Sequence, residues 1–398
     1  MYGFAVITAV LVGLGHRGVG YATYADSHPD ELQIVGIAEP DAVRRSRYAE
    51  RFGVPSENCF ENAEALAAVQ KFADVAINGT MDEIHIETTV PLLEAGYDVL
   101  LEKPIAPNAE QLRLLEEAVE RTERRVVICH VLRYAPFYAA IKERVANGEI
   151  GEIMHIHTTE NVSYHHMAVA FIRGKWRQKE TNPMMLAKCC HDLDLICWMK
   201  SGVNPKKVAS FGGRHFFTSE NAPEGSALRC IDCSIERDCE YSAIRHHVDN
   251  GWWPFYALAG ESNYEQGLEM DEDTMQSHIA DSDYGRCVWH CDNDVVDRQS
   301  VIIEFEDGCV ATHDMVTNSA NGTRRIQLTG TKGDIYGDMV EGKFTISKPG
   351  AVAGSEAIVE EIQIDLQGDL HGGGDVRLVA DFLSLIRGEG ASLSTTTL

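Results

Sequence analysis

The most constraining stretch of this chain is Ile7-Thr8-Ala9-Val10-Leu11-Val12-Gly13-Leu14-Gly15-His16-Arg17-Gly18, an apolar run that ends in glycines spaced G-x-G-x-x-G. The pattern predicts a buried strand that breaks into a tight turn and then a helix. Gly13 allows the turn, Gly15 lets backbone approach a pyrophosphate, and Gly18 permits close packing of helix on strand. The helix N-terminus, carrying His16 and Arg17, faces the negative charge. The fingerprint gains its weight from context: a second strand, Leu32 to Ala38, ends at Glu39, 21 residues beyond Gly18. A dinucleotide fold keeps an acid there for the ribose hydroxyls. Such an acid accepts from the ribose and repels a 2′-phosphate, which favours NAD over NADP; Arg44 and Arg45, opening the next helix, are the opposing charges.

A helical pattern runs from Asp41 through Phe52 and is stopped by Gly53-Val54-Pro55. After a short helix around Ala63 to Val69, a buried strand, Ala73 to Ile77, delivers Asn78-Gly79-Thr80 to its C-terminal end, where open parallel sheets place their ligands. His85 follows in the next helical turns, as a cofactor contact or a capping residue. Tyr97 to Leu101 forms a further strand with Glu102-Lys103-Pro104 at its end. A lysine at that edge points into the ligand crevice, suited to acid or base work; the alternative is a solvated loop lysine. Asn108 and Gln111 form a capping box, and Val126 to Cys129 closes a six-strand unit within about 130 residues. Residues 1–130 are therefore expected to be an α/β, doubly wound Rossmann domain.

From His130 onward the texture changes. Past Arg133 and Tyr134, strands become longer and alternating, as in Ile153 to Thr158, Val301 to Phe305, Cys309 to Asp314 and Arg325 to Thr329. Alternation predicts a half-buried, mostly antiparallel open sheet. A final helix, Asp375 to Arg387, precedes a Ser/Thr-rich end at Leu398. Residues 131–398 are expected to form the second, substrate-binding and oligomerising α/β domain.

With Gly13-x-Gly15-x-x-Gly18, Glu102-Lys103-Pro104 and His191-x-x-Asp194 in order, the chain resembles the glucose-fructose oxidoreductase/inositol dehydrogenase/MocA family over nearly its whole length. The resemblance implies NAD as cofactor, a sugar or cyclitol as substrate, and oligomer contacts, in a dimer or tetramer, through the second sheet. It also implies roles: Lys103 contacts substrate and cofactor, His191 exchanges the hydroxyl proton, and Trp176-Arg177 lies near the nicotinamide. Arg133, Tyr134 and Asp192 become candidate substrate contacts. One departure stands out. The family's aspartate four residues before that histidine is here Ala187, with Lys188 beside it; Lys188 is thus a catalytic candidate, and Lys188, Asp192 or Asp194 is left to position His191. For the two aspartates the alternative is capping of a helix N-terminus.

Between about Arg214 and Arg298 lies an insertion that this family does not generally carry. It holds Cys230-x2-Cys233-x5-Cys239 and later Cys287-x3-Cys291. Three thiolates at the first spacing, with Cys287 or Cys291 as fourth, suit a structural zinc; reduced free thiols are the alternative. Trp252, Trp253, Phe255 and Tyr256 line a carbohydrate or pack the insertion.

The 398-residue length exceeds one ordinary core, and the net charge of −26 argues against a nucleic-acid surface. No stretch is long and apolar enough to cross a membrane. The first apolar run is consumed by the glycine turn, and the 11 cysteines, an odd count, suit a reducing compartment, so the cytoplasm is the expected location. The sequence-based expectation is an NAD-dependent dehydrogenase of a secondary alcohol. Two rivals share the fold: an NAD-dependent glycosidase working by transient oxidation and elimination, and a non-catalytic sugar or dinucleotide sensor.

Overall fold

A computed structural model of the chain describes residues 5–265, 270–352, 354–366 and 371–394; the Ser/Thr-rich end from residue 395 lies outside them. Two compact units are present. The first comprises residues 1–134, 258–270 and 374–398, the second residues 135–257 and 271–373.

In the first unit, β1 (Ile7–Val12), β2 (Leu32–Ala38), β3 (Cys59–Phe60), β4 (Val75–Asn78), β5 (Asp98–Leu101) and β6 (Val126–Ile128) form one sheet in the order β3-β2-β1-β4-β5-β6. Every pairing is parallel. The sequence locates all of these strands except β3, whose two residues are too short to carry a period. Val10, Val12, Ala76, Val99 and Leu101 are buried with Ile86, Leu92, Leu93 and Leu115 from the covering helices. Near-continuous apolar strands are what a sheet covered on both faces requires. Strand order reverses between β1 and β4, so the crevice past their carboxyl ends is the ligand position.

Helix boundaries follow local chemistry. Asp41 caps residues Ala42–Phe52 by accepting from the Arg44 N–H at 2.8 Å, and Gly53 ends that helix in the left-handed region at φ 65°. Asn108 caps Ala109–Thr122 by accepting from Gln111 N at 2.9 Å. The terminal helix, Gly374–Arg387, buries Leu378, Val379, Phe382 and Leu383 within this unit.

The second unit is built on an eight-stranded sheet: β7 (Ile153–Ser163), β8 (Pro205–Gly213), β9 (Arg298–Phe305), β10 (Val310–Ser319), β11 (Thr323–Gly330), β12 (Asp334–Asp338), β13 (Lys343–Lys348) and β14 (Ile358–Gln363), ordered β14-β13-β12-β11-β7-β10-β9-β8. Only β7 and β10 pair in parallel; the remaining pairings are antiparallel. Helix Pro136–Ala146 covers one face with Phe137, Tyr138 and Ile141, and Phe137 meets Phe344 edge-on at 6.1 Å. The opposite face carries the row Ala209, Ile302, Thr312, His157, Gln327 and Tyr336, with Ile302 and Tyr336 exposed. Among the described residues no helix is long and apolar enough to cross a membrane.

Candidate active site

The three glycines of the first turn have different reasons to be glycine. Gly13 sits at φ +78°, and a Cβ there would meet Thr80 N at 2.8 Å; a Cβ on Gly18 would meet the Gly13 carbonyl oxygen at 2.3 Å. Both are demanded by packing of the chain against itself. For Gly15 the nearest atom to such a Cβ is Gly79 O at 4.0 Å, so its missing side chain serves nothing internal. The room it leaves suits a pyrophosphate, and Gly15 is the residue that precedes helix His16–Ala22. Beside it, Glu39 accepts from Leu14 N at 2.8 Å and from Asp41 N at 3.0 Å. An ionised carboxylate has about four acceptor positions, which leaves capacity for a ribose hydroxyl. The turn and the acid therefore fit a dinucleotide.

At the end of β4, buried Asn78 donates to Thr88 Oγ1 and Thr89 Oγ1, both at 2.9 Å, and accepts from Thr80 Oγ1 at 2.9 Å. This pins Gly79 and Thr80 against Gly13 and Gly18. His85 is fully buried, with Nδ1 2.8 Å from Pro104 O and Nε2 3.1 Å from Thr80 O. It is a strap between the β4 and β5 loops rather than a reactive imidazole. Glu102 is likewise used internally: it accepts from Tyr21 Oη at 2.6 Å and stands 3.7 Å from Arg17 Nε. Arg17 also donates to Tyr21 and Asp375, which accounts for its guanidinium without a phosphate. These contacts fix the turn that presents Lys103, which is partly exposed next to the buried Glu102 and Pro104. His16, the first residue of its helix, is exposed.

In the second unit, His191 lies in the first turn of helix Cys190–Met199, 4% exposed, its ring 5.9 Å from that of His371. Around it, distant strands supply charge. Lys188 Nζ is 3.1 Å from Glu160 Oε1 on β7, and Arg324 Nε on β11 lies 2.5 Å from Glu160 Oε2 and 3.2 Å from Asp192 Oδ1. Two buried acids thus meet two bases, an arrangement in which each charge is tolerable only because of the others. Burial pushes the Asp192 carboxyl up, and the Arg324 guanidinium opposes that shift. Lys188 is accordingly a partner of Glu160, and Asp192, 2% exposed, is a partner of Arg324. His313 on β10 completes the group, bonded to Thr158 Oγ1 at 2.9 Å, with its imidazole held down by burial.

Four further residues have structural work. Tyr134, 4% exposed, donates to Asp381 Oδ2 at 2.7 Å, and Arg133 donates to Leu393 O at 2.5 Å; both hold the C-terminal stretch in the first unit. Arg177 pairs with Asp292 at 3.1 Å and Asp283 at 3.3 Å, and Trp176 packs on Phe171 and Tyr256. The sequence expected these two near the nicotinamide; Asp283, Asp292 and Tyr256 among their partners lie in the insertion.

Within the insertion, Cys230, Cys233, Cys239 and Cys287 line one cavity of about 10 Å³ together with Arg173 and Glu236. That is close to the volume of one water-sized sphere. Cys291 is absent from this lining, and its thiol faces Arg173, Arg286 and Asp292. Arg173, 1% exposed, donates from Nη2 to Cys230 Sγ at 3.5 Å, and Ala243 N donates to the same sulfur at 3.4 Å. Burial pushes the Cys287 thiol up to about 11 and raises Cys239 as well. The tightest group of ligand-type atoms among the described residues is elsewhere: Cys189, Asp192 and His313 lie within 4.8 Å of one another, and no three of the cavity thiols come that close. Arg324 already supplies the positive charge at Asp192, which disfavours a cation there. The aromatic run packs the insertion, with Trp253 against His165, His166 and Tyr256.

Sequence reasoning missed Glu160, Arg324 and His313. Each is a partner brought in by tertiary structure, and no local spacing marks it.

Residues 7–130 match the profile described as an oxidoreductase family with an NAD-binding Rossmann fold, and residues 142–395 match that family's C-terminal alpha/beta domain. A putative oxidoreductase of Bacillus subtilis, YteT, is 24% identical over 366 residues, covering 88% of this chain and 81% of its own. Inositol 2-dehydrogenase of Corynebacterium glutamicum is 26% identical over 270 residues, covering 65% of this chain and 71% of its own. The solved structure of a levoglucosan dehydrogenase with NADH and L-sorbose shares the fold at a TM-score of 0.67 and 16% identity, over 97% of this chain and 91% of that one. With both domain profiles matched, the chain belongs to the GFO/IDH/MocA family of oxidoreductases.

Proposed function

We propose that this NAD-dependent dehydrogenase oxidises a secondary alcohol on a sugar, sugar derivative or cyclitol. The observation that carries the reading is the retention, in a chain matched across both domains, of Lys103 after β5 and His191 at the head of its helix. Relatives named for inositol and levoglucosan support polyhydroxylated rings as the substrate class.

In this reading His191 accepts the hydroxyl proton as the O–H bond breaks, a task an imidazole suits near neutral pH. Lys103 orients the same oxygen and favours its developing negative charge. NAD, when bound against Gly15 and Glu39, supplies the acceptor for the hydride that leaves the carbinol carbon. Glu160, Lys188, Asp192 and Arg324 hold the first turn of the His191 helix from below, which takes over the positioning that Ala187 cannot provide. A panel of inositols and aldoses with NAD, followed by NADH absorbance, tests the substrate class; a panel with no responder would count against it.

The same reading gives the insertion a structural zinc on Cys230, Cys233, Cys239 and Cys287, with Cys291 left out. Filling the small cavity draws the thiols inward and deprotonates them, and buried Arg173 offsets part of the charge of four thiolates. Self-association through the exposed sheet face bearing Ile302 and Tyr336 completes the reading. Light scattering on the purified chain tests it, and a monomer at all concentrations would refute it.

A further inference from the structure

The insertion contributes residues 258–270 to the first unit. Within that stretch Glu265, 5% exposed, grips Arg44 with both oxygens: Arg44 Nε to Oε2 at 2.8 Å and Nη2 to Oε1 at 2.6 Å. A two-point grip between guanidinium and carboxylate is the strongest geometry such a pair adopts. Gly260 N donates to Glu265 Oε1 at 2.9 Å, and Arg47 Nη1 holds the Glu265 carbonyl at 3.1 Å, so the acid is fixed from three sides. The third nitrogen of Arg44 lies 3.3 Å from Glu39 Oε1. Arg44 therefore stands between two buried carboxylates, directly beside the acid read as the ribose contact.

This placement matters because Arg44 is the charge best placed to receive a 2′-phosphate. It is the third residue of the helix that follows β2, next to Glu39. A guanidinium with a free fork at that place turns a ribose pocket toward NADP. We propose that Glu265 is a specificity-determining residue: it occupies the Arg44 fork and so withholds it from a 2′-phosphate, adding a second barrier to NADP beyond the charge of Glu39. The inference rests on the reading of Glu39 as the ribose-binding acid. Discrimination is then set in part by the insertion, a segment remote in sequence from the glycine turn.

Binding of NADH and NADPH to the full chain, measured by calorimetry, tests it. Glu265→Gln removes the charge while keeping the shape, and should tighten NADPH by about tenfold relative to NADH, the worth of one charge-assisted contact. The gain should shrink as salt is raised. Adding Arg44→Ala to Glu265→Gln should abolish the gain, which separates release of Arg44 from any loosening of the loop; Glu265→Ala serves as a second release variant, with melting temperature as the folding control. An unchanged NADPH-to-NADH ratio in both folded Glu265 variants, in a wild type that prefers NADH, would overturn the proposal alone. A wild type that binds NADPH as tightly as NADH would overturn the reading of Glu39 beneath it.

Discussion

The glycine turn of the first unit and the surroundings of His191 in the second reach function by opposite routes. In the turn, the whole motif lies in one six-residue run, and Gly13 and Gly18 pack on Gly79 and Thr80 at the end of the neighbouring strand. Around His191, Lys188 and Asp192, close to it in sequence, take their charged partners from β7 and β11, far along the chain. A backbone cradle is set by a few φ angles and close approaches, whereas a buried charge cluster is set by the mutual neutralisation of its members. At Gly13 and Gly18 the first tolerates no added atom; the second tolerates no missing charge.

Variants at the reacting groups should produce the largest effect. His191→Ala is expected to lower kcat by about 10²- to 10⁴-fold with NADH affinity nearly intact, and Lys103→Ala by at least as much, as a positioned proton acceptor and its electrostatic partner typically supply. Steady-state kinetics on the responding substrate checks this, and near wild-type turnover in either folded variant would remove that residue from the mechanism.

The contrast sharpens at the next level. Arg324→Met should destabilise the second unit by about 3–5 kcal/mol, because it leaves Glu160 and Asp192 buried with one base between them. Denaturant unfolding followed by tryptophan fluorescence reads the loss. Smaller but more discriminating are the glycines. Gly18→Ala, whose Cβ would strike the Gly13 carbonyl at 2.3 Å, should lower the melting temperature, whereas Gly15→Ala should fold normally and lose NADH affinity. Equal melting losses in both would mean that Gly15 is also a packing glycine.

For the cysteine segment, protein purified without added metal should contain about one zinc per chain. Cys287→Ser should lose it and Cys291→Ser should keep it, by elemental analysis. Acid gives the mildest effect. Burial lowers His246 to about 3 and His247 to about 4. Both bind protons more readily unfolded than folded, so their contribution is whole above the ordinary imidazole range near 6.5 and is lost as pH falls toward 4. Fluorescence of Trp252, which stacks on His246, should report the segment opening over that window.

What was legible in the sequence follows the same division. Five strands of the first sheet, its glycine turn, Glu39 and the caps at Asp41 and Asn108 are written in local spacing, and the alternation of the later strands gives the open second sheet. Local spacing does not encode partners. Nothing near Ala187 in sequence shows that Glu160 pairs with Lys188 and Arg324 with Asp192, or that Tyr134 is held by Asp381 and Arg177 by Asp283 and Asp292. The motif Cys230-x2-Cys233-x5-Cys239 is visible in the sequence, whereas only the cavity sets Cys287, and not Cys291, beside those three.

Net oxidation of an alcohol by NAD is read by counting NADH formed against substrate consumed on a responding sugar or cyclitol. One NADH for each substrate molecule and a ketone product are expected. Consumption of a glycoside with no net NADH would contradict it, because the cofactor would then be oxidising and reducing the same molecule in turn.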